Sequence, residues 1–430
     1  MRGGTMEYAT CNAQELNTTK PKTHTFRAIL VISLCAAFLF YKYILQNFPS
    51  VMASQLMDEF HLHGLGLGVL SGVYFWTYLI VPLFVGIILD HYGTRWITTG
   101  AIFCCAVGIF ICADAQTVNT AIWGRALIGV GVSFASIAYF KLSAVWFAKK
   151  YYALLTSLLV TAAMIGAVCG QMPLAWLVNQ IGWRSSLSTL GWIGITLGFL
   201  FLISVKDKPS KEAIEVKTTQ SEHLWSDILS ILKNKQNWLL TAYSGLAFSP
   251  VVIFCGLWGN PFLQKAYNLD KLTAPSMISL VFIGLAISCP LFALFANRVR
   301  NRCSLMFYST LLSALCISLV IYAHPMPLWM LSVLLFMFGF SLGAFPFVFV
   351  IGKELNPIHL AGTTTSLLNA SDALLDAISE PAMGTLLDTF STGSGHDFTL
   401  FSYHIALAIL PLFQIIGAFM MRWVKDEHRS

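Results

Sequence analysis

"KDKPSKEAIEVKTTQSEH", residues 206–223, is the longest hydrophilic interruption after the N-terminal tail of a chain that is otherwise strongly apolar. Its position near the middle of 430 residues divides the sequence into two stretches, each holding six apolar runs. Overall 57% of residues are hydrophobic and only 11% charged, against roughly 25% charged in an ordinary soluble domain. Each run has about 20 residues, enough to cross the hydrocarbon as a helix rising 1.5 Å per residue. The predicted fold is therefore all-α, a polytopic membrane protein of twelve transmembrane helices in two pseudo-symmetric six-helix bundles.

The predicted spans are 27–48, 65–89, 96–115, 119–146, 152–178, 186–205, 238–262, 273–296, 303–323, 327–351, 361–387 and 399–424. They give a cytoplasmic N-terminal tail over 1–26, a first bundle over 27–205, a cytoplasmic linker over 206–237 and a second bundle over 238–430. The first run is too long for a cleaved signal peptide and no small-residue cleavage pattern follows it, so it reads as retained. Cytoplasmic loops collect Lys and Arg. With the N-terminus inside, twenty basic residues fall on the inner side and only Arg184, Lys265 and Lys271 on the outer. This asymmetry places both termini in the cytoplasm, and it explains the net charge of +6 without nucleic acid. The ten cysteines show no metal-ligand spacing and sit mostly in apolar runs, where a thiol behaves as a small hydrophobe. No metal, cofactor or disulfide is expected.

The two stretches look like copies. Sliding the second back by 207 positions lays "GNPFLQKAYNL" from 259 over "MASQLMDEFHL" from 52, and "ALFANRVRNR" over "GIILDHYGTR", pairing Asp90 with Asn297 and Arg95 with Arg302. At an offset of 208, Pro173 meets Pro381. Duplicated six-helix halves are a transporter architecture, with the substrate site between them near the midplane. A duplicated scaffold or sensor is the alternative.

These residues also carry a family resemblance that covers essentially the whole chain. "GIILDHYGTR", with Gly86, Asp90, Gly93 and Arg95, resembles the loop between the second and third helices of the major facilitator superfamily, and "RALIGVG", from Arg125 to Gly131, resembles its fourth-helix motif. Thr94 and Trp96 stand where that family usually has basic residues, which implies a weaker charge latch. "YKYILQNFPSVMASQLMDEF", "GVYFWTYLIVPLFVGIILDHYGTR", "GQMPLAWLVNQIGWR" and "EPAMGTLLD" are similar to segments of bacterial phagosomal nutrient transporters and their siderophore-transporting relatives. That resemblance implies uptake or exchange of a small polar metabolite across a bacterial inner (plasma) membrane. The glycine and proline pattern of drug:proton antiporters is only partly present, because Gln171 and Met172 interrupt Gly166, Gly170 and Pro173.

Charges inside the spans mark pathways by default. Arg125 shares a helical face with Gly129, Ser133, Ser136 and Phe140, a face suited to lining a cavity. Its guanidinium fork matches a carboxylate or phosphate; the alternative is a structural lock to a neighbouring helix. Lys42 lies among Phe38, Phe40, Tyr41 and Tyr43, where ring faces stabilise an ammonium that can bind an anionic substrate group or change protonation. Lys141 is close enough to the inner interface to snorkel there. Asp90 and Arg95 are expected to pair across a tight turn at Gly93 as a gate, or else to form only an interfacial ion pair. Of the aromatic clusters, Tyr74 and Trp258 are candidates to line the substrate path.

The most demanding stretch is "NASDALLDAISEP", residues 369–381, with Asp372, Asp376 and Glu380 inside the eleventh span. Each acid costs about 2.5–3.5 kcal/mol at the bilayer centre. Together with Thr365, Asn369 and Ser379 they occupy an arc of about 100° on the helix. So narrow a stripe does not face lipid. Acids one turn apart repel and are desolvated, so at least one is expected to exchange a proton near neutral pH. Recognition of an amine and static pairing with Lys42, Arg125 or Lys141 are the alternatives. Pro381 is expected to kink the helix.

Basic residues in the first half and acids in the second suit a zwitterion held between them. The sequence thus reads as a secondary active transporter of an amino-acid- or peptide-like nutrient, proton-coupled and monomeric, with Lys42, Arg125, Tyr74, Trp258, Asp376 and Glu380 as substrate contacts. A siderophore or metabolite exporter on the same fold, and a non-transporting nutrient sensor, are the competing readings. No nucleophile–base pair, phosphate loop or metal cluster is legible, and an enzyme is not expected.

Overall fold

The computed structural model describes residues 25–148, 151–206, 231–295, 301–357, 360–391 and 398–425, leaving the N-terminal tail, most of the linker and Asn297 outside the described residues. Within them the chain is helical and no strand occurs. The first half comprises α1 (Thr25–Val51), α2 (Gly64–Ile80 and Pro82–Tyr92, bent by 52°), α3 (Thr94–Asp114), α4 (Val118–Trp146), α5 (Leu154–Ile181) and α6 (Trp183–Ser204). The second comprises α7 (Lys235–Tyr267), α8 (Thr273–Phe295), α9 (Arg302–Tyr322), α10 (Leu328–Glu354), α11 (Ala361–Phe390) and α12 (Leu400–Met420).

Ten of these helices are long and apolar enough to cross a membrane, and α2 makes an eleventh when its bent pair is one span. Helix α11 fails that test by composition, because its 30 residues carry the three stripe acids and Asp388. Its partners, not its hydropathy, make it a span. Side chains start several helices: Thr117, Asn234, Asn301 and Thr399 each accept a hydrogen bond from a first-turn backbone N–H of α4, α7, α9 and α12. All odd-numbered helices start, and all even-numbered ones end, on the face that carries Thr25 and Lys425, termed the basic face below.

The duplication is visible in the backbone. The short helix Ala53–Phe60 after α1 ends on His61 at φ 50°, ψ 45°, and the last turns of α7 end on Asn268 at φ 50°, ψ 38°. These left-handed caps lie 207 residues apart, the offset of the sequence repeat. A second repeat lies inside the first half. Gly93 after α2 (φ 84°, ψ 158°) and Gly182 after α5 (φ 80°, ψ 162°) make the same turn, each two residues before an arginine. Positive φ at both positions calls for glycine.

The halves are fastened on the face opposite the basic one. Gly64, Gly68 and Gly72 of α2 lie against the backbone of α11 from Ala377 to Gly384; a Cβ at Gly68 would stand 2.7 Å from Pro381 Cα. Helix α11 runs on through Pro381 as helix. The missing proline N–H frees the Ala377 carbonyl, against which Gly72 packs. Asp388 accepts hydrogen bonds from the backbone N–H of Gly64 (2.7 Å) and Leu65 (2.8 Å). Asn260 Nδ2 donates to Ser50 Oγ (2.8 Å) and Gln171 Oε1 (2.9 Å), while Gln171 Nε2 donates to the Cys255 carbonyl (2.8 Å).

Candidate substrate site between the two halves

Along α11 the polar stripe goes from exposed to sealed. Asn369 is exposed and Asp372 partly buried, while Asp376 and Glu380 are 2% and 0% exposed. The stripe is thus open toward the basic face and closed beneath the fastened seam. Asp372 Oδ1 accepts from Ser244 Oγ at 3.0 Å. Asp376 Oδ1 and both Glu380 carboxylate oxygens are buried without a well-formed hydrogen bond, with the hydroxyls of Ser249 and Ser71 beside the two acids. Helix α7 approaches them through a π-helical turn, Phe254–Trp258. There Gly256 turns a side-chain-free surface toward Asn47 Oδ1 and Glu380 Oε1. Such turns are frequent at functional sites.

The first half supplies the opposing charges. Arg125 is fully buried and donates to the carbonyls of Leu45 (2.7 Å) and Gln46 (3.4 Å), while its guanidinium lies 4.8 Å from the ring centres of Phe48 and Tyr74. Its Nε has no partner, and Glu380 lies within its electrostatic reach. Lys42 Nζ receives no carboxylate; it donates to Tyr78 Oη at 2.8 Å and sits 4.1 Å from that ring's centre. Tyr78 in turn stacks on Tyr74 at 6.2 Å. Tyr43, 5.2 Å from Lys42 Nζ, reaches electrostatically across to Asp372. The structure therefore brings Lys42, Tyr74, Arg125, Asp372, Asp376 and Glu380 around one interface.

Buried polar atoms are nearly always paired. Six that are not belong to Tyr74, Arg125, Trp258, Asp376 and Glu380. Trp258 stands apart from the stripe: it lines a cavity of about 360 Å³ near the opposite face, with Ser50, Asp58 and Phe398. The Arg125 face departs from expectation farther along α4. At Gly129 it is pressed onto Tyr74 and Thr77 of α2, and Ser133 is buried with its hydroxyl on the Gly129 carbonyl. Farther along the same face Ser136 is half-buried and Phe140 exposed.

The basic-face latch also differs from its expected form. Asp90 pairs with Lys141 (2.7 Å), which also donates to the Leu89 carbonyl (2.6 Å), while Arg95 Nε donates to the Leu202 carbonyl (2.8 Å). The snorkelling lysine thus caps the end of α2, and the turn at Gly93 points Arg95 toward α6. In the second half Arg302, the repeat partner of Arg95, forms a two-pronged pair with Glu354 at 3.0 and 2.5 Å.

Sequence reasoning missed Asn260, Asp388 and Gly256, and it passed over Tyr78, within the aromatic cluster 74–78, in favour of Tyr74. Tyr78 was signalled by its spacing one turn beyond Tyr74. Gln171 was noticed only as a break in a glycine pattern, whereas it is a buried polar bridge between the halves.

Two six-helix halves meeting over a buried, charged interface define a membrane carrier fold. The Major Facilitator Superfamily matches residues 30–379, and the chain belongs to that family as a multi-pass integral membrane protein. Among relatives, it is 24% identical over 421 residues to the uncharacterized transporter YybO of Bacillus subtilis, covering 92% of this chain and 94% of that one. It is 23% identical over 417 residues to the lysosomal dipeptide transporter MFSD1 of Homo sapiens, covering 91% and 86%. The solved nucleoside transporter NupG (D323A mutant) has the same fold at TM-score 0.73 and 14% identity, over 92% of this chain and all of that one. A bacterial homologue of the human lysosomal transporter Spinster does so at TM-score 0.73 and 13% identity, over 95% of this chain and 100% of that one.

Proposed function

We propose that the protein is a proton-coupled carrier of a small zwitterionic nutrient, amino-acid- or peptide-like, working by alternating access with its basic face in the cytoplasm of a bacterial plasma membrane. The observation that carries this reading is the facing pair of incomplete groups. Arg125 Nε in the first half and the Glu380 and Asp376 oxygens in the second are buried without a well-formed hydrogen bond. A substrate carboxylate completes the guanidinium and a substrate ammonium completes the acids. A proton on the acids serves the empty carrier, because an ionised carboxylate without a partner is costly in so dry a place. The dipeptide named for the MFSD1 relatives is a substrate of the same chemical type.

The test is counterflow in proteoliposomes loaded with amino acids or dipeptides, followed by uptake under an imposed pH gradient. Exchange of one such solute, with accumulation that follows the gradient, is expected. Binding without counterflow would make the protein a sensor, and transport confined to an uncharged solute or a metal chelate would overturn the zwitterion reading.

A further inference from the structure

Helices α9 and α12 lie side by side, and at the basic face the start of α9 and the residues after α12 enclose a cavity of about 570 Å³. Ser304 and Tyr308 of α9 line it together with Arg422, Trp423 and Lys425. The Arg422 guanidinium lies 4.6 Å from the Phe307 ring centre and 5.5 Å from that of Phe419. Aromatic faces fix its position and leave its charge for another partner. The segment is tied down from α7: Gln236 Oε1 accepts from the Lys425 backbone N–H (2.8 Å), and Gln236 Nε2 donates to the Trp423 carbonyl (3.3 Å). Arg422 is thereby fixed at the mouth, and Lys425 lines it from an anchored backbone.

Below that mouth the surface is apolar and faces outward. Leu312 and Leu315 of α9 and Ile416 and Phe419 of α12 are all exposed, so an uncovered strip runs down both helices from the cavity toward the membrane interior. Tyr308 and Trp423, 65% and 64% exposed, flank the junction of the two zones. Aromatic side chains of this kind settle at headgroup depth. A soluble anion would use the basic mouth alone; the strip beneath it selects an amphiphile.

We propose that this is a binding site for one anionic phospholipid of the basic-face leaflet, its phosphate between Arg422 and Lys425 and its chains along the strip between α9 and α12. The site is remote from the acid stripe, and the proposal does not depend on which solute is carried. Each basic residue near a membrane surface is worth about 1 kcal/mol toward anionic lipid, or roughly fivefold in binding.

Native mass spectrometry of purified protein equilibrated with phosphatidylglycerol and phosphatidylcholine tests it. The wild type is expected to retain phosphatidylglycerol over phosphatidylcholine, and the doubly substituted R422Q/K425Q protein to lose about 25-fold of that preference. Lys353→Gln, on the same face but outside the cavity, is expected to keep it. Equal retention of the two lipids by the wild type would overturn the proposal and needs no variant to fold. So would an equal loss in Lys353→Gln, which would indicate diffuse surface charge, or displacement of the lipid by millimolar inorganic phosphate, which would indicate a soluble-anion site.

Discussion

The seam on the opposite face and the interface beneath it use the same residue types and differ in how their carboxylates are held, although the seam too leaves one buried oxygen, Asn260 Oδ1, without a partner. At the seam, the Asp388 carboxylate rests on two backbone N–H groups, and Gln171 and the Asn260 amide nitrogen reach partners in the other half. A few turns inward, Glu380 and Asp376 have buried oxygens with no well-formed hydrogen bond, across from an Arg125 whose Nε has none. Completed bonds between halves hold one conformation. Incomplete ones leave groups able to take a further partner. A carboxylate therefore stands in two different environments in this molecule, set by its neighbours.

The comparison breaks most visibly at the incomplete acids. In Glu380→Gln the side chain keeps its shape and loses its titrating group. Gradient-driven accumulation is expected to fall by about 100-fold or more, and counterflow exchange by a clearly smaller factor, since the amide still accepts a hydrogen bond from the substrate ammonium and loses only the charge. Asp376→Asn is expected to behave in the same way. Accumulation at the wild-type level in both variants would remove the two acids from coupling. If exchange falls as far as accumulation, the acids serve substrate binding alone and the coupling role is removed.

An intermediate effect is expected where the halves touch closely. Gly68→Ala puts a methyl group into the Glu380–Pro381 backbone. Overpacking of this kind costs about 1–3 kcal/mol, here charged to the closed seam. Labelling of a cysteine placed at Ser71, a buried α2 residue beside Glu380, by a membrane-impermeant maleimide from the opposite face, in a background freed of the native cysteines, should rise by roughly fivefold or more. Gly86→Ala, where a Cβ meets nothing within 4 Å, should leave labelling unchanged. Equal labelling in the two variants would mean that the α2–α11 contact does not gate this side.

The twelve spans, the two halves and the acid stripe were legible because each has a period: about 20 apolar residues, 207 positions, and one helical turn. The repeat was firm enough that His61 and Asn268 share one left-handed cap at that offset. What stayed hidden were contacts between residues far apart in the chain. Asp388 looks like any acid near a span end until Gly64, 324 residues away, offers its N–H. Gly256 looks like a packing glycine until a π-helical turn aims it at Glu380. Arg125 and Lys42 were found as charges in apolar runs, but sequence could not separate their two environments, carbonyls around one and a tyrosine under the other.

The smallest effect belongs to the basic-face latch, where sequence and structure disagree over the partner. The reading of "GIILDHYGTR" joins Asp90 to Arg95, whereas the structure joins Asp90 to Lys141 and sends Arg95 to the Leu202 carbonyl. The Lys141 and Asp90 side chains are 28% and 65% exposed, so solvent screens their attraction and about 0–1 kcal/mol is expected from it. Lys141→Gln and Asp90→Asn should therefore each change the transport rate by no more than about fivefold, and the double substitution should add little to either. Arg95→Gln should combine with Asp90→Asn additively, since the two side chains serve different helices. Coupling measured between Asp90 and Arg95 in that cycle, with none between Asp90 and Lys141, would restore the pairing read from the sequence and assign the Lys141 contact to a single conformation of the carrier.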